Sequence, residues 1–175
     1  MALAGVQVDV FARVLTPGLA ARAKILAGTV TAATTAVAAD AAAFVVIVSE
    51  RRARDFPEAL RIAGGVTVGA APEAPGLAPV LAIATALAKA GVGRRDLAMA
   101  EVMEAYAVQA MACVAGAGLD LLVVNPGGGA LARGHPIGAS GAVLAVRLFH
   151  GLRQGFGLAT IAAAGGIGTA LVVAR

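Results

Sequence analysis

The chain has 175 residues, of which 59% are hydrophobic and 3% aromatic, and its formal net charge is +4. The hydrophobic share exceeds the roughly 45–50% of ordinary soluble domains, yet no uninterrupted apolar run reaches the ~18 residues of a spanning helix, so a membrane protein is excluded. The lone thiol, Cys113, excludes an internal disulfide, and no basic segment precedes an apolar one at the N-terminus, so a signal peptide is not expected and the cytoplasm is.

Residues 1–27 read as a loop and a short helix around a Thr-Pro-Gly break. TVTAATTAVAAD, residues 29–40, is expected to be a strand followed by a helix start. AAAFVVIV, residues 41–48, has the continuous apolar, β-branched character of a strand buried on both faces. SERRARDF opens a short exposed helix that Pro57 ends. ALRIAGGVTVGA is a strand with a glycine bend, and APEAPGLAP is a turn. VLAIATALAKAG is a helix closed by Lys89 and Gly91. After a turn at 93–96, LAMAEVMEAYAVQAMACVAG holds a short strand and then a helix. LDLLVVN reads as a strand, and a helix follows over 138–153. GLATIAAA and GTALVVA form a hairpin around GGIG. The alternation of strands and helices specifies an α/β layered architecture with a mixed sheet.

Between that last helix and LDLLVVN lies NPGGGALARGHPIGASG, with six glycines, two prolines and one of two histidines in its seventeen residues. Gly127, Gly129 and Ala132 imitate a dinucleotide-binding fingerprint. That reading fails, because Gly134-His-Pro136 interrupts the helix after one turn. It also fails because no acid follows Asp120 to meet a ribose about 20 residues on. The same lack of acids excludes a carboxylate-oriented histidine or a carboxylate metal site built from this half alone. Four arginines (Arg133, Arg147, Arg153 and Arg175) are the only charged residues beyond Leu121. Without clustered lysines or interleaved aromatics they do not suit nucleic acid, and a small anion or plain solubility fits them better.

His135 lies between Gly134 and Pro136. The proline restricts it to extended angles and also suits the start of the following helix, where backbone dipoles disfavour an imidazolium. A histidine kept neutral there can act as a base or a hydrogen-bond donor. A tight turn alone would also account for it. His150, beside Gly151, reads as an exposed helix residue, and Cys113 as a small buried hydrophobe.

The segment NPGGGALARGHPIGASG resembles the C-terminal signature of the thiolase family: Asn-x-Asn-Gly-Gly, then Ala-x-Gly-His-Pro-x-Gly, then a small polar residue and Gly. GTVTAATTAVAADAAAFVVIVSERRA, EVMEAYAVQA and GLATIAAAGGIGTALVV resemble three further family segments in the same order. The resemblance runs from about Phe11 to Arg175. It implies a thiolase-like layered fold, a five-stranded mixed sheet covered by helices and ending in a β-hairpin. Residues 1–57 would then be the end of the family's N-terminal half and 58–175 its C-terminal domain. The implied chemistry is making or cleaving the C2–C3 bond of a 3-ketoacyl-CoA, with a coenzyme A thioester as substrate and no other cofactor or metal.

The resemblance also implies roles. The family's histidine is His135, and its hairpin oxyanion donor is the backbone N–H at Ala164. Gly128, Gly134, Pro136 and Gly138 shape the substrate loop. Other roles are lost: the oxyanion-hole asparagine falls on Met103, the acid–base cysteine on Ala162, and a CoA-contacting serine on Ala36. Met103 cannot hold a water by a strong hydrogen bond, and losing one such donor costs on the order of 100- to 1000-fold in rate. Ala162 cannot move a proton. The nucleophile of the N-terminal half has no counterpart in the chain. The expected function is a subunit of an acyl-CoA acyltransferase whose cysteine comes from a partner, with the isolated chain inactive. A non-catalytic scaffold or acyl-CoA-binding subunit, self-association, and a truncated remnant remain as alternatives.

Overall fold

The computed structural model describes residues 15–175. The expectations for residues 1–14, including the reading against a signal peptide, lie outside the described residues. The elements in chain order are α1 (Pro17–Ala21), β1 (Ile25–Ala27), β2 (Val30–Thr31), α2 (Glu50–Ala53), β3 (Arg61–Gly69), α3 (Ala78–Ala90), β4 (Leu97–Val102), α4 (Ala107–Ala117), α5 (Ala130–Arg133), α6 (Ser140–Gly151), β5 (Phe156–Ala163) and β6 (Ile167–Ala174). Short 3-10 turns occur at Pro75–Leu77, Arg94–Asp96, Leu121–Val123 and Ile137–Ala139.

The main sheet is mixed, in the order β3-β6-β5-β4. β6 runs antiparallel to both β3 and β5, and β5 runs parallel to β4. Strand alternation divides the core into two layers. Leu158, Ala170 and Val172 face Ile83 and Leu87 of α3 and Val114 of α4. Ala159 and Val173 face Leu144 and Leu148 of α6. Ile83, Leu148, Leu158 and Val172 are all but fully buried, and each such side chain contributes about 1.5–3 kcal/mol. The abundant alanine lets these layers close up. Ala78, Ala82 and Ala86 line the buried face of α3, and a Cβ on Gly64 of β3 would sit 3.1 Å from the Ala86 carbonyl oxygen. α3 stops at Gly91, whose φ of 67° favours glycine.

The α/β layers, the mixed sheet and the closing hairpin stand as expected, and three strand expectations do not. The main sheet has four strands among the described residues, where the family resemblance implied five. The fifth place belongs to LDLLVVN, which pairs through a single parallel bridge between Val124 and Ala100. Asp120 accepts a hydrogen bond from the Leu122 N–H at 2.9 Å and winds Leu121–Val123 into a 3-10 turn instead.

Residues 29–40 form only the two-residue β2, paired with β1, and no helix follows. Threonine hydroxyls occupy the local backbone there. Thr34 Oγ1 accepts from the Thr31 N–H at 2.9 Å, and Thr35 Oγ1 donates to the Thr31 carbonyl at 2.9 Å. Residues 41–48 are neither paired nor buried, since no strand of the described chain reaches them. Phe44 is 87% exposed and Val46 86%.

Candidate functional site

The quoted glycine loop is held by side chains that copy a strand. Asn125 takes φ of 45°, a conformation that asparagine tolerates. Its N–H bonds the Ala100 carbonyl at 2.8 Å. Its side chain accepts from the Val102 N–H at 2.8 Å and donates to the Val102 carbonyl at 2.9 Å. The amide therefore satisfies both backbone groups at the end of β4, as a neighbouring strand would. It also donates to Glu104 Oε1 at 2.6 Å, while Glu104 Oε2 accepts from the Leu131 N–H at the start of α5. Gly129 leaves the space that this carboxylate fills.

Beneath the loop lies a buried charge cluster. Glu101 has no exposed surface, and its Oε2 accepts from Arg147 Nε at 2.7 Å, with Arg133 Nη2 at 4.0 Å. Both arginines also donate to the Gly128 carbonyl, at 3.3 Å from Arg133 and 3.0 Å from Arg147. Burial, with Arg147 alongside, lowers the Arg133 pKa. Arg175 donates to the Glu58 and Phe149 carbonyls and lies over the Phe149 ring. Three of the four arginines expected to serve a small anion or solubility thus tie the structure together.

The loop then presses onto residues 34–39. Gly134 takes φ of 89°, and a Cβ there would meet Ala39 Cβ at 2.7 Å. The His135 N–H bonds the Val37 carbonyl at 2.7 Å, and His135 pairs with Ala38 as a parallel bridge, the extended form that the proline dictates. Ala36 N–H bonds the Ala105 carbonyl at 3.0 Å. Pro136 leads into a 3-10 turn rather than directly into α6, and Ile137 carries φ of 31°. A β-branched residue there is strained, and such strain gathers at functional sites.

His135 Nδ1 and Ser140 Oγ are 2.7 Å apart, and Ser140 is buried at the first position of α6. Burial pushes the imidazole pKa below the usual histidine range. The direction matches expectation, and its cause is desolvation. With Nδ1 engaged by Ser140, Nε2 is the nitrogen left for chemistry. If the hydroxyl donates to Nδ1, Nε2–H is a donor; with the tautomer reversed, Nε2 is a base.

His135 lines a cleft of about 220 Å³ with Pro75, Gly76, Met103, Ala105, Tyr106, Gln109 and Ala162, Ala163 and Ala164. Of the residues singled out in the sequence, His135, Met103, Ala162 and Ala164 meet in this cleft. Ala36 packs against the core cluster that contains Met103. Gly128, Gly134, Pro136 and Gly138 are not in its lining; Gly128 and Gly134 act through the loop.

Tyr106 is 46% exposed on the cleft wall. Cys113 is fully buried outside the lining, donating to the Gly76 carbonyl at 2.9 Å and accepting from Gln109 Nε2 at 3.3 Å. Burial pushes its pKa up, which suits an inert thiol. Sequence reading missed Ser140, Asn125 and Glu104 as supports. The small polar residue in the His-Pro pattern was a signal for the first. No group of three or more metal-ligating side chains exists among the described residues, and no helix there is long and apolar enough to cross a membrane.

Residues 57–175 match the family described as "Thiolase, C-terminal domain". The acetyl-CoA acetyltransferase of Rhizobium meliloti (strain 1021) is 42% identical over 153 residues, covering 85% of this chain and 39% of that protein. The mitochondrial 3-ketoacyl-CoA thiolase of Homo sapiens is 39% identical over 151 residues, covering 83% of this chain and 38% of that protein. The crystal structure of the Bacillus anthracis acetyl-CoA acetyltransferase superposes with a TM-score of 0.86 at 33% identity, over 91% of this chain and 42% of its own. That of the human mitochondrial 3-ketoacyl-CoA thiolase in complex with CoA gives 0.86 at 32%, over 97% and 45%. This chain therefore spans about two fifths of the length of the curated relatives it matches. The ordered motifs, the layered sheet and the His135 loop belong together for one reason: the chain belongs to the thiolase family.

Proposed function

We propose that this chain is the histidine-bearing part of a thiolase-like acyl-CoA acyltransferase, acting on 3-ketoacyl-CoA only with a polypeptide that supplies the nucleophilic cysteine. Residues 58–175 are its C-terminal thiolase domain, and 1–57 continue the preceding half of the fold. The observation that carries the reading is His135, held at Nδ1 by buried Ser140 and lining a cleft that contains no thiol. Cys113 is buried outside that lining.

A neutral His135 takes the proton of the partner's cysteine through Nε2, and the thiolate adds to the C3 keto carbonyl; the C2–C3 bond then breaks, the acyl group stays on sulfur until CoA takes it, and the α-carbon leaves, once protonated, as acetyl-CoA. The oxyanion of the addition forms beside the imidazole and the Ala164 N–H. Met103 and Ala162 add neither a water-holding donor nor a proton carrier, so the partner also supplies the acid that protonates the α-carbon.

The test is native mass spectrometry of the protein gently purified from its own source, with a thiolysis assay on each species. A heteromer with a cysteine-bearing polypeptide is expected to cleave ketoacyl-CoA, and His135→Ala in it to lose about 100- to 10,000-fold in kcat. The chain alone is expected to show no turnover, and cleavage by the pure chain would sink the reading. The apolar side chains of Met103 and Ala162 in the cleft favour one other reading, an acyl-CoA-binding subunit without catalysis. Calorimetric binding of acetyl-CoA with no turnover in any complex would select it.

A further inference from the structure

Cleavage of a 3-ketoacyl-CoA puts negative charge on two oxygens in turn. Attack at C3 makes an alkoxide, which forms beside the imidazole and the Ala164 N–H. Rupture of the C2–C3 bond then sends its electron pair onto C2 and the adjoining thioester carbonyl, whose oxygen becomes that of an enolate. A second donor has to meet this oxygen, because an apolar cleft leaves developing charge unsolvated.

Ten residues line the cleft, and only Tyr106, Gln109 and His135 among them carry a side-chain N–H or O–H. Gln109 is already engaged, its Nε2 donating to the Gly76 carbonyl at 3.2 Å and to Cys113 Sγ at 3.3 Å. His135 is held by Ser140 at Nδ1, and its Nε2 serves the cysteine. Tyr106 is the chain's one tyrosine. It is 46% exposed on the cleft wall, and its hydroxyl bonds no group among the described residues.

One short segment holds the backbones of both Tyr106 and His135. Thr35 bridges Tyr106, with the Ala107 N–H on the Thr34 carbonyl at 2.9 Å and the Ala36 N–H on the Ala105 carbonyl at 3.0 Å. Ala38, three residues on, bridges His135. Three residues of extended chain span at most about 10 Å. The phenol and the imidazole therefore stand at the two ends of one clasp, and a donor fixed in this way needs no reorganisation when charge develops.

We propose that the Tyr106 hydroxyl is the donor to the thioester oxygen, hydrogen-bonding the enolate that forms as the C2–C3 bond breaks. This inference rests on the function proposed above and adds a residue for its second step. The phenol keeps its proton throughout. C2 is protonated by the separate acid, and the electron pair of the broken bond ends in the new C2–H bond. A phenol in an apolar site is suited to this, since it donates one strong hydrogen bond to an oxygen that carries developing charge.

The test follows two reactions of the protein purified from its own source, as wild type and as Tyr106→Phe, which keeps the ring and its packing. Cleavage of acetoacetyl-CoA passes through the enolate. Exchange of acetyl between acetyl-CoA and labelled CoA passes only through the acyl-cysteine and breaks no C–C bond. Tyr106→Phe is expected to slow cleavage about 100- to 1000-fold more than it slows exchange. Equal slowing of both reactions would overturn the enolate donor and leave the hydroxyl a structural group. Cleavage unchanged in Tyr106→Phe would overturn it as well. Either result would leave the proposed function standing, whereas absence of both reactions in the wild type would overturn both.

Discussion

Two apolar, β-branched stretches that look alike in the sequence have opposite fates in the fold. GTALVVA becomes β6, with antiparallel neighbours on both edges and helices over both faces. AAAFVVIV stays unpaired and exposed. Their composition does not separate them; the availability of neighbours does. β6 follows β5 through Gly165 and Gly166, both with φ near 80°, so its first partner is a tight turn away. The 41–48 segment is followed by Ser49, which caps α2 through the Arg52 N–H, and no partner strand lies within a short connection. A run of apolar residues shows how much surface needs cover and does not show what covers it.

Ion pairs give the largest effect by which to break that comparison. Arg147 pairs with Glu101, a side chain with no exposure, whereas Arg52 pairs with Asp55 at 3.0 Å with the two side chains 64% and 55% exposed. Arg147→Met removes the hydrogen-bonded partner of a buried carboxylate, leaving only Arg133 at 4.0 Å, and is expected to cost about 3–5 kcal/mol. Arg52→Met is expected to cost about 0–1 kcal/mol, since water and salt already screen the pair. Urea unfolding of both variants measures the contrast, and equal costs would mean that the charge cluster under the glycine loop is solvated.

Deletion of apolar side chains should give the next largest difference. Leu158→Ala empties a fully buried position between β5 and α3 and is expected to cost about 2–5 kcal/mol. Ile47→Ala removes a side chain that is 76% exposed and should stay within about 0.5 kcal/mol in the chain alone. Measured in a heteromer, a loss of affinity in Ile47→Ala would sharpen the comparison, because it shows the second region waiting for its cover. A large loss in the isolated chain would show instead that 41–48 is already packed.

Legibility in the sequence follows the same division. Elements fixed by local chemistry were readable: α3 with its Lys89 and Gly91 ending, α2 with its Ser49 cap, and the closing hairpin. Elements decided by a distant side chain were not. Nothing local announces that the Asn125 amide replaces a strand along Val102, and the short-range bond from the Leu122 N–H to Asp120 turns Leu121–Val123 against their apolar, strand-like pattern. The Thr31, Thr34 and Thr35 hydroxyls likewise diverted a segment whose β-branched content suggested a strand. Within the site, the constraint on His135 was visible in Gly-His-Pro. Its meeting with Met103, Ala162 and Ala164 was not, because no periodicity links those positions, and only resemblance to a family placed them together.

His135 lies where the two regions meet, bonded to Val37 on one side and Ser140 on the other, and its removal is expected to cost less than that of Arg147 or Leu158. His135→Ala leaves the Ser140 hydroxyl without its partner and should cost about 0.5–1.5 kcal/mol at neutral pH, with the fold intact. Burial depresses the folded-state pKa, so the unfolded chain takes up the proton first as pH falls. The contribution is therefore full above the unfolded value of about 6.5 and is lost as pH falls through the folded value. Below that, both states are protonated and no further change comes from this group. Unfolding of wild type and His135→Ala at about pH 7.5 and pH 5.5 isolates the contribution, because every other titrating group is shared. The stability gap between them should narrow at the lower pH. A constant gap would mean that the imidazole is solvated and free to charge, which would remove the neutral base on which the cleft's proposed chemistry depends.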